Sequence, residues 1–144
     1  MNIIRETDKD RTAQREIATL AALHWGFTTR EHPTLYPVDF TFLDDGEPVE
    51  LVEIKDRSNK FGKYRHYMIS LDKWRSIWRL MREQNLPGVL LVRFTDCIAW
   101  TMVTAEPWLV RNGGRRDRKV GGKPDPHDTG PMAYTPMTRF VKLT

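Results

Sequence analysis

At 144 residues, with 40% hydrophobic and 29% charged side chains, the chain is long enough for one domain with a real core and short for two. Its formal charge of +4 favours a polyanionic partner without requiring one. The single Cys97 excludes an intrachain disulfide and a Cys-based zinc site, and suits a reducing cytosol. The N-terminal stretch MNIIRETDKDR lacks the apolar core of a signal peptide, and no apolar run approaches the ~20 residues of a membrane span. We therefore expect a cytoplasmic protein with no membrane partner.

Helical pattern starts near Asp8 or Asp10, either of which can cap it, and runs over residues 11–25. Ala13, Ile17, Leu20, Ala21 and His24 fall on one stripe, and Gly26 is a fitting stop. Glu16 sits at the margin of that stripe. On helix pattern alone it reads as a solvated charge paired with a nearby arginine. Residues 27–35 form a connector with a short extended piece, in which His32 reads as a solvated loop histidine.

The first strong strand signal covers residues 36–43, followed by the turn cluster Asp44-Asp45-Gly46. Pro48 stands at the next strand's start and residues 49–55 read as well buried. Strand residues alternate faces, so Glu53 and Lys55 share one while Val52 and Ile54 point into a core. The hairpin brings Asp39 within about a residue or two of the register of Glu53. Two carboxylates and an ammonium then meet on one edge of a sheet, which suits a divalent cation and a polarised water. The plainer alternative is a surface salt bridge between Lys55 and either carboxylate, worth ~0–1 kcal/mol.

Residues 56–68 mix Arg57, Lys60, Lys63, Arg65 and His66 with Phe61, Tyr64 and Tyr67. Cations neutralise phosphates and rings stack on bases, so this loop is the best nucleic-acid contact in the chain. The competing reading is a solvated loop whose tyrosines cover the core. Ser70 caps a helix over residues 71–84 with an apolar stripe of Leu71, Trp74, Ile77, Trp78 and Met81. Lys73 lies in its first turn, where a cation opposes the helix dipole. Either it reaches a phosphate or it is simply solvated.

Residues 89–94 form a nearly all-apolar central strand and 97–103 its antiparallel partner. Residues 104–110 read as a short helix or turn leading into a strand. Residues 112–131 form a long Gly- and Pro-rich loop carrying Arg115, Arg116, Arg118, Lys119 and Lys123. It either lies on nucleic acid or is solvated. Residues 132–143 dock back as a strand or short helix. The order predicts an α/β fold, a mixed sheet flanked by helices. One domain spans residues 1–144, with a core over about 11–103 and an extension over 104–144.

Pro37-Val38-Asp39 on one strand and Glu53-Ile54-Lys55 ending the next, behind a helix with Glu16 and before a cationic aromatic loop, resemble the PD-(D/E)XK nuclease superfamily. The likeness is to small phage and prophage nucleases and Holliday-junction-resolvase-like proteins, and it covers residues 11–103. Pro-Val-Asp stands where the motif name has Pro-Asp. The resemblance implies a restriction-endonuclease-like αβββαβ core. It implies Mg²⁺ (or Mn²⁺) held by Asp39, Glu53 and the Ile54 backbone carbonyl. Lys55 would orient or help deprotonate the attacking water. Glu16 would match the acidic residue of the first helix that helps hold metal or water, and Lys73 corresponds loosely to cations on the following helix.

The expected function is therefore a Mg²⁺-dependent endonuclease hydrolysing DNA phosphodiesters, on branched or other phage DNA, with RNA left open. Arg57, Lys60, Lys63, Tyr64, Arg65, Lys73, Arg115, Arg116, Arg118 and Lys119 are the nucleic-acid candidates. If phage-encoded, the protein works in the bacterial host cytoplasm. A junction resolvase needs a symmetric homodimer, for which Trp100 and Trp108 offer apolar surface. The alternatives are a non-catalytic nucleic-acid-binding protein of the same fold and a phage assembly or structural protein.

Overall fold

The computed structural model describes residues 8–112, 119–120, 123–124 and 130–143. Helix α1 (Asp8–Trp25) precedes β1 (Thr28–Glu31), β2 (Phe40–Asp44) and β3 (Glu47–Asp56). Then come β4 (His66–Ser70), α2 (Leu71–Gln84), β5 (Gly88–Arg93) and β6 (Ile98–Met102). The tail carries β7 (Leu109–Asn112), β8 (Lys119–Val120), β9 (Lys123–Pro124), β10 (Pro131–Pro136), a 3-10 turn at Met137–Arg139 and β11 (Val141–Lys142). The main sheet runs β1-β2-β3-β5-β6-β11 and a second sheet runs β4-β10-β7. Only β3 and β5 pair in parallel within the main sheet. The α2 crossover between them makes that possible. The mixed sheet flanked by helices is thus as the sequence predicts.

One face of the main sheet is covered by α1, whose Ile17, Ala18, Ala21 and Ala22 pack on Phe40, Phe42, Val52, Ile54, Val89 and Leu91. The small side chains let the helix lie close. This rotates the expected stripe: Leu20 is 47% exposed and His24 is exposed. An alanine-rich helix offers two nearly equivalent faces, and shape selects the flatter one. The other face is covered by α2 and the second sheet, through Leu71, Trp74, Ile77, Met81, Tyr67, Ile69 and Ala133 against Leu51, Leu90 and Val92.

The Ser70 hydroxyl accepts from the Lys73 amide at 3.2 Å, closing the expected cap. Asn85 ends α2 in the left-handed region, φ 54°.

Several expectations shift. The strand expected over 36–43 begins at Phe40 as β2, so Asp39 lies just before it; its amide still bonds the Val52 carbonyl at 3.1 Å. Pro37 has no N–H to give a ladder, which holds residues 36–39 out of regular pairing. The glutamate is not at a sheet edge, because β3 runs between β2 and β5. The loop expected over 56–68 ends in β4, and residues 104–110 run into β7 without a helix. Trp100 packs edge-on against Trp25 at 5.9 Å, which turns it inward; Trp108 is 47% exposed. Among the described residues no helix is long and apolar enough to cross a membrane.

Helix α2 is seated directly on the start of β5. A Cβ at Gly88 would stand 2.6 Å from Met81 Sδ and 2.9 Å from Met81 Cγ. We expect Gly88→Ala to lower stability by about 1–3 kcal/mol in urea unfolding, the usual cost of overpacking; an unchanged midpoint would show that α2 can lift.

Candidate active site

Strand alternation puts Glu53 and Lys55 on the α2 side of β3, with Leu51. The Glu53 side chain is 2% exposed. Its Oε2 lies 3.6 Å from Lys55 Nζ and 3.3 Å from Lys73 Nζ. Lys73 Nζ also donates to the Pro37 carbonyl at 3.0 Å. The cation that opposed the helix dipole in the sequence therefore has a partner: a buried carboxylate lies in front of it. Lys73 is thereby a site residue and not, in this arrangement, a free phosphate contact.

Asp39 reaches the same cluster from β2's entrance. Its Oδ2 accepts from the Ile54 amide at 2.8 Å, and its carbonyl accepts from the His32 amide at 2.9 Å. Burial, and then the Glu53 charge, push its carboxyl up to about 7, against the pull of the Ile54 amide, Lys55 and Lys73. A strand residue's N–H and C=O point to one edge, so the Ile54 carbonyl faces the Asp39 side as its amide does. Glu53 Oε1 is buried and has no hydrogen-bond partner.

The residues present fit a divalent cation. A buried carboxylate and a half-buried one repel each other, the buried one keeps an orphaned oxygen, and a carbonyl faces the same edge; hard cations take such oxygen donors. Among the described residues no three His, Cys, Asp or Glu side chains gather to hold a metal, so any cation would rest on this pair, the carbonyl and water.

Glu16 is not brought into the cluster. It pairs with Arg93 at 3.2 Å, and Arg93 pairs with Asp56 at 3.0 Å. Asp56, one residue beyond Lys55, lies on the α1 side by alternation. Glu50 is half-buried, and that burial pushes its carboxyl up to about 7. It pairs across from Phe42, on the α1 side of the sheet.

His32 is half-buried. Its Nε2 lies 2.6 Å from Thr41 Oγ1 and its ring stacks on Tyr36 at 4.1 Å.

The cationic aromatic loop divides in two. Phe61 is pinned: its amide donates to Asp96 at 2.8 Å and its ring meets Phe94 edge-on. Lys60, Lys63, Tyr64 and Arg65 are exposed. Arg57 lies over the Tyr67 ring at 5.1 Å. Arg115, Arg116 and Arg118 lie outside the described residues. For Lys119 only the backbone pairing with Pro124 is described.

Tyr67, placed by the sequence in the cationic aromatic loop, is buried with Leu51, Leu90 and Val92. The alternation in HYMIS, half-buried and buried by turns, was the available signal.

A family model described as "Phage putative PDDEXK endonuclease" matches residues 3–143. The chain belongs to this phage PDDEXK endonuclease family. The phage PDDEXK fold has solved counterparts. One is Hjc, a Holliday junction resolvase from the archaeal hyperthermophile Archaeoglobus fulgidus. It aligns with a TM-score of 0.56 over 90% of this chain and 95% of that one, at 10% identity. No curated protein gives a significant match. At such identity the structural likeness establishes the restriction-endonuclease-like fold, and the phage PDDEXK assignment rests on the family model.

The raised Asp39 sets a pH test. Its carboxyl stands at about 7 in the fold against an ordinary 3.8. The favourable contribution is complete below pH 3.8 and is lost as pH rises through 7. Ionising it in the cation-free protein costs up to about 4 kcal/mol. Without divalent cations, Asp39→Asn should melt above the parent at pH 8, with the gap narrowing as pH falls to 5. Parallel melting curves at both pH values would contradict the buried placement.

Proposed function

We propose that this chain is a divalent-cation-dependent DNA endonuclease that hydrolyses phosphodiesters at Asp39, Glu53 and Lys55. One observation carries the reading: a carboxylate buried at mid-sheet keeps Oε1 unpartnered while Asp39 and two ammonium groups close around it. Folding alone gives no reason to bury that set, since surface pairs contribute little and buried ones repay their desolvation poorly. Membership of a nuclease family supports the same reading.

Asp39, Glu53 and the Ile54 carbonyl would hold Mg²⁺ or Mn²⁺, which when bound supplies a Lewis acid for the phosphate and its water. Lys55, with its side chain one-third exposed, orients the attacking water and offsets negative charge growing on the phosphate oxygens. Lys73 holds Glu53 from the α2 side and fixes it against Pro37. The exposed Lys60, Lys63, Tyr64 and Arg65 follow β3 directly and would carry the flanking nucleic acid, by charge and by stacking. Glu16 acts at one remove, by holding Arg93. We extend the reading to branched DNA, as the resolvase name of the archaeal neighbour suggests; cutting two strands of a junction then requires two copies of the chain.

A digest in Mg²⁺ or Mn²⁺ of branched, single-stranded and duplex DNA, with RNA alongside, tests this. Asp39→Ala, Glu53→Ala and Lys55→Ala should each lose about 100-fold or more, with circular dichroism unchanged. Glu16→Ala should lose less than about tenfold, in line with a partly exposed ion pair. Three variants cutting like the parent would remove the assignment. DNA binding with no turnover under any cation would leave a binding protein of the same fold.

A further inference from the structure

Tyr67 has no role in the reaction as described, yet its environment is unusual. It lies on β4's inner face, 5% exposed, within the core layer that contains Leu51, Leu90 and Val92. Its hydroxyl is shut off from solvent and has no hydrogen-bond partner. Such an orphan costs about 1–3 kcal/mol, and replacing it with hydrogen would be simple. The ring needs no hydroxyl to pack: it meets Phe140 at 5.7 Å and carries the Arg57 guanidinium on its face at 5.1 Å.

Among the described residues three side chains hold a buried polar atom without a partner: Glu50, Glu53 and Tyr67. Glu50 faces the α1 side; Glu53 and Tyr67 face the same layer. The hydroxyl feels both Glu53 and Arg57, and burial raises its proton affinity above that of an ordinary phenol. It therefore stays a neutral donor at any working pH. A donor without an acceptor and a carboxylate oxygen without a donor in one closed layer are complementary. They are not bonded to each other, and a third group between them would satisfy both. One enclosed water suffices, because it accepts from the phenol and donates to the carboxylate.

We propose that Tyr67 is a positioning residue for Glu53: its hydroxyl and Glu53 Oε1 share an enclosed water that fixes the carboxylate for its cation. This rests on the nuclease reading above. Partners that orient a ligating group in this way typically change metal affinity by 10–100-fold.

The test compares Tyr67→Phe with the parent by Mn²⁺ titration, cation-free melting and cleavage across Mn²⁺ concentrations. The ring survives in the variant, so cation-free melting should hold or rise. Mn²⁺ affinity should fall about tenfold, and cleavage should recover as Mn²⁺ is raised. A merely structural tyrosine would lower the melting point and leave Mn²⁺ affinity alone. Parent-like Mn²⁺ affinity in Tyr67→Phe, beside a parent that binds and cuts, overturns the role of Tyr67 and leaves the nuclease reading standing. A parent that neither binds Mn²⁺ nor cuts any substrate overturns both. Tyr67→Leu, which also deletes the ring, should lose stability as well; equal loss of Mn²⁺ affinity in the Phe and Leu variants assigns the effect to the hydroxyl.

Discussion

A carboxylate placed at the middle of a covered sheet constrains everything around it. Glu53 is 2% exposed, and an uncompensated charge at such a depth would unfold the chain or neutralise itself. Two ammonium groups answer it from different elements, Lys55 from the same strand and Lys73 from α2. Helix α2 must then be held to within ångströms, which its hydroxyl cap at Ser70 and its seat on Gly88 accomplish. The crossover that brings α2 there also makes β5 parallel to β3. Topology, cap and packing thus converge on one charge.

Asp39 sits under the opposite pressure. Its proton affinity rises because burial and Glu53 both disfavour a second negative charge. The cluster in isolation is therefore poised between keeping a proton and taking up positive charge. Perturbed carboxyls of this kind cluster at functional sites. Stability is spent locally at Asp39 and Glu53 and regained in the two apolar layers on either side of β3.

Local patterns made much of this legible. The parity of Glu53 and Lys55, the Ser70 cap, the apolar run of β5 and the pairing of β2 with β3 all depend on residues close in sequence or on period-2 alternation. What escaped depended on distance. Strand β4 was hidden inside a cationic loop because its partner β10 lies far along the chain. The α1 stripe was rotated because alanines leave the buried face to shape complementarity. Lys73 carried a readable anomaly, a cation at a helix start, but its explanation lay on another element. Glu16 was legible in part: the helix pattern suggested an arginine partner close by, whereas the arginine that pairs with it is Arg93 on β5, far along the chain.

The second sheet carries a consequence for biosynthesis. Thr135 pairs with Tyr67 and Pro136 with His66, so β4 gains its neighbour only when residues 131–136 exist. The 3-10 turn that follows is tied to Arg65 through the Met137 amide, and β11 then adds to the edge of the main sheet. One late segment stitches both sheets. Closing so long a loop is entropically slow, and the wall that encloses Glu53 is completed last. A nascent chain therefore carries the motif residues well before it carries a dry, ordered site. Residues 131–142 must therefore be present before either sheet has all its strands.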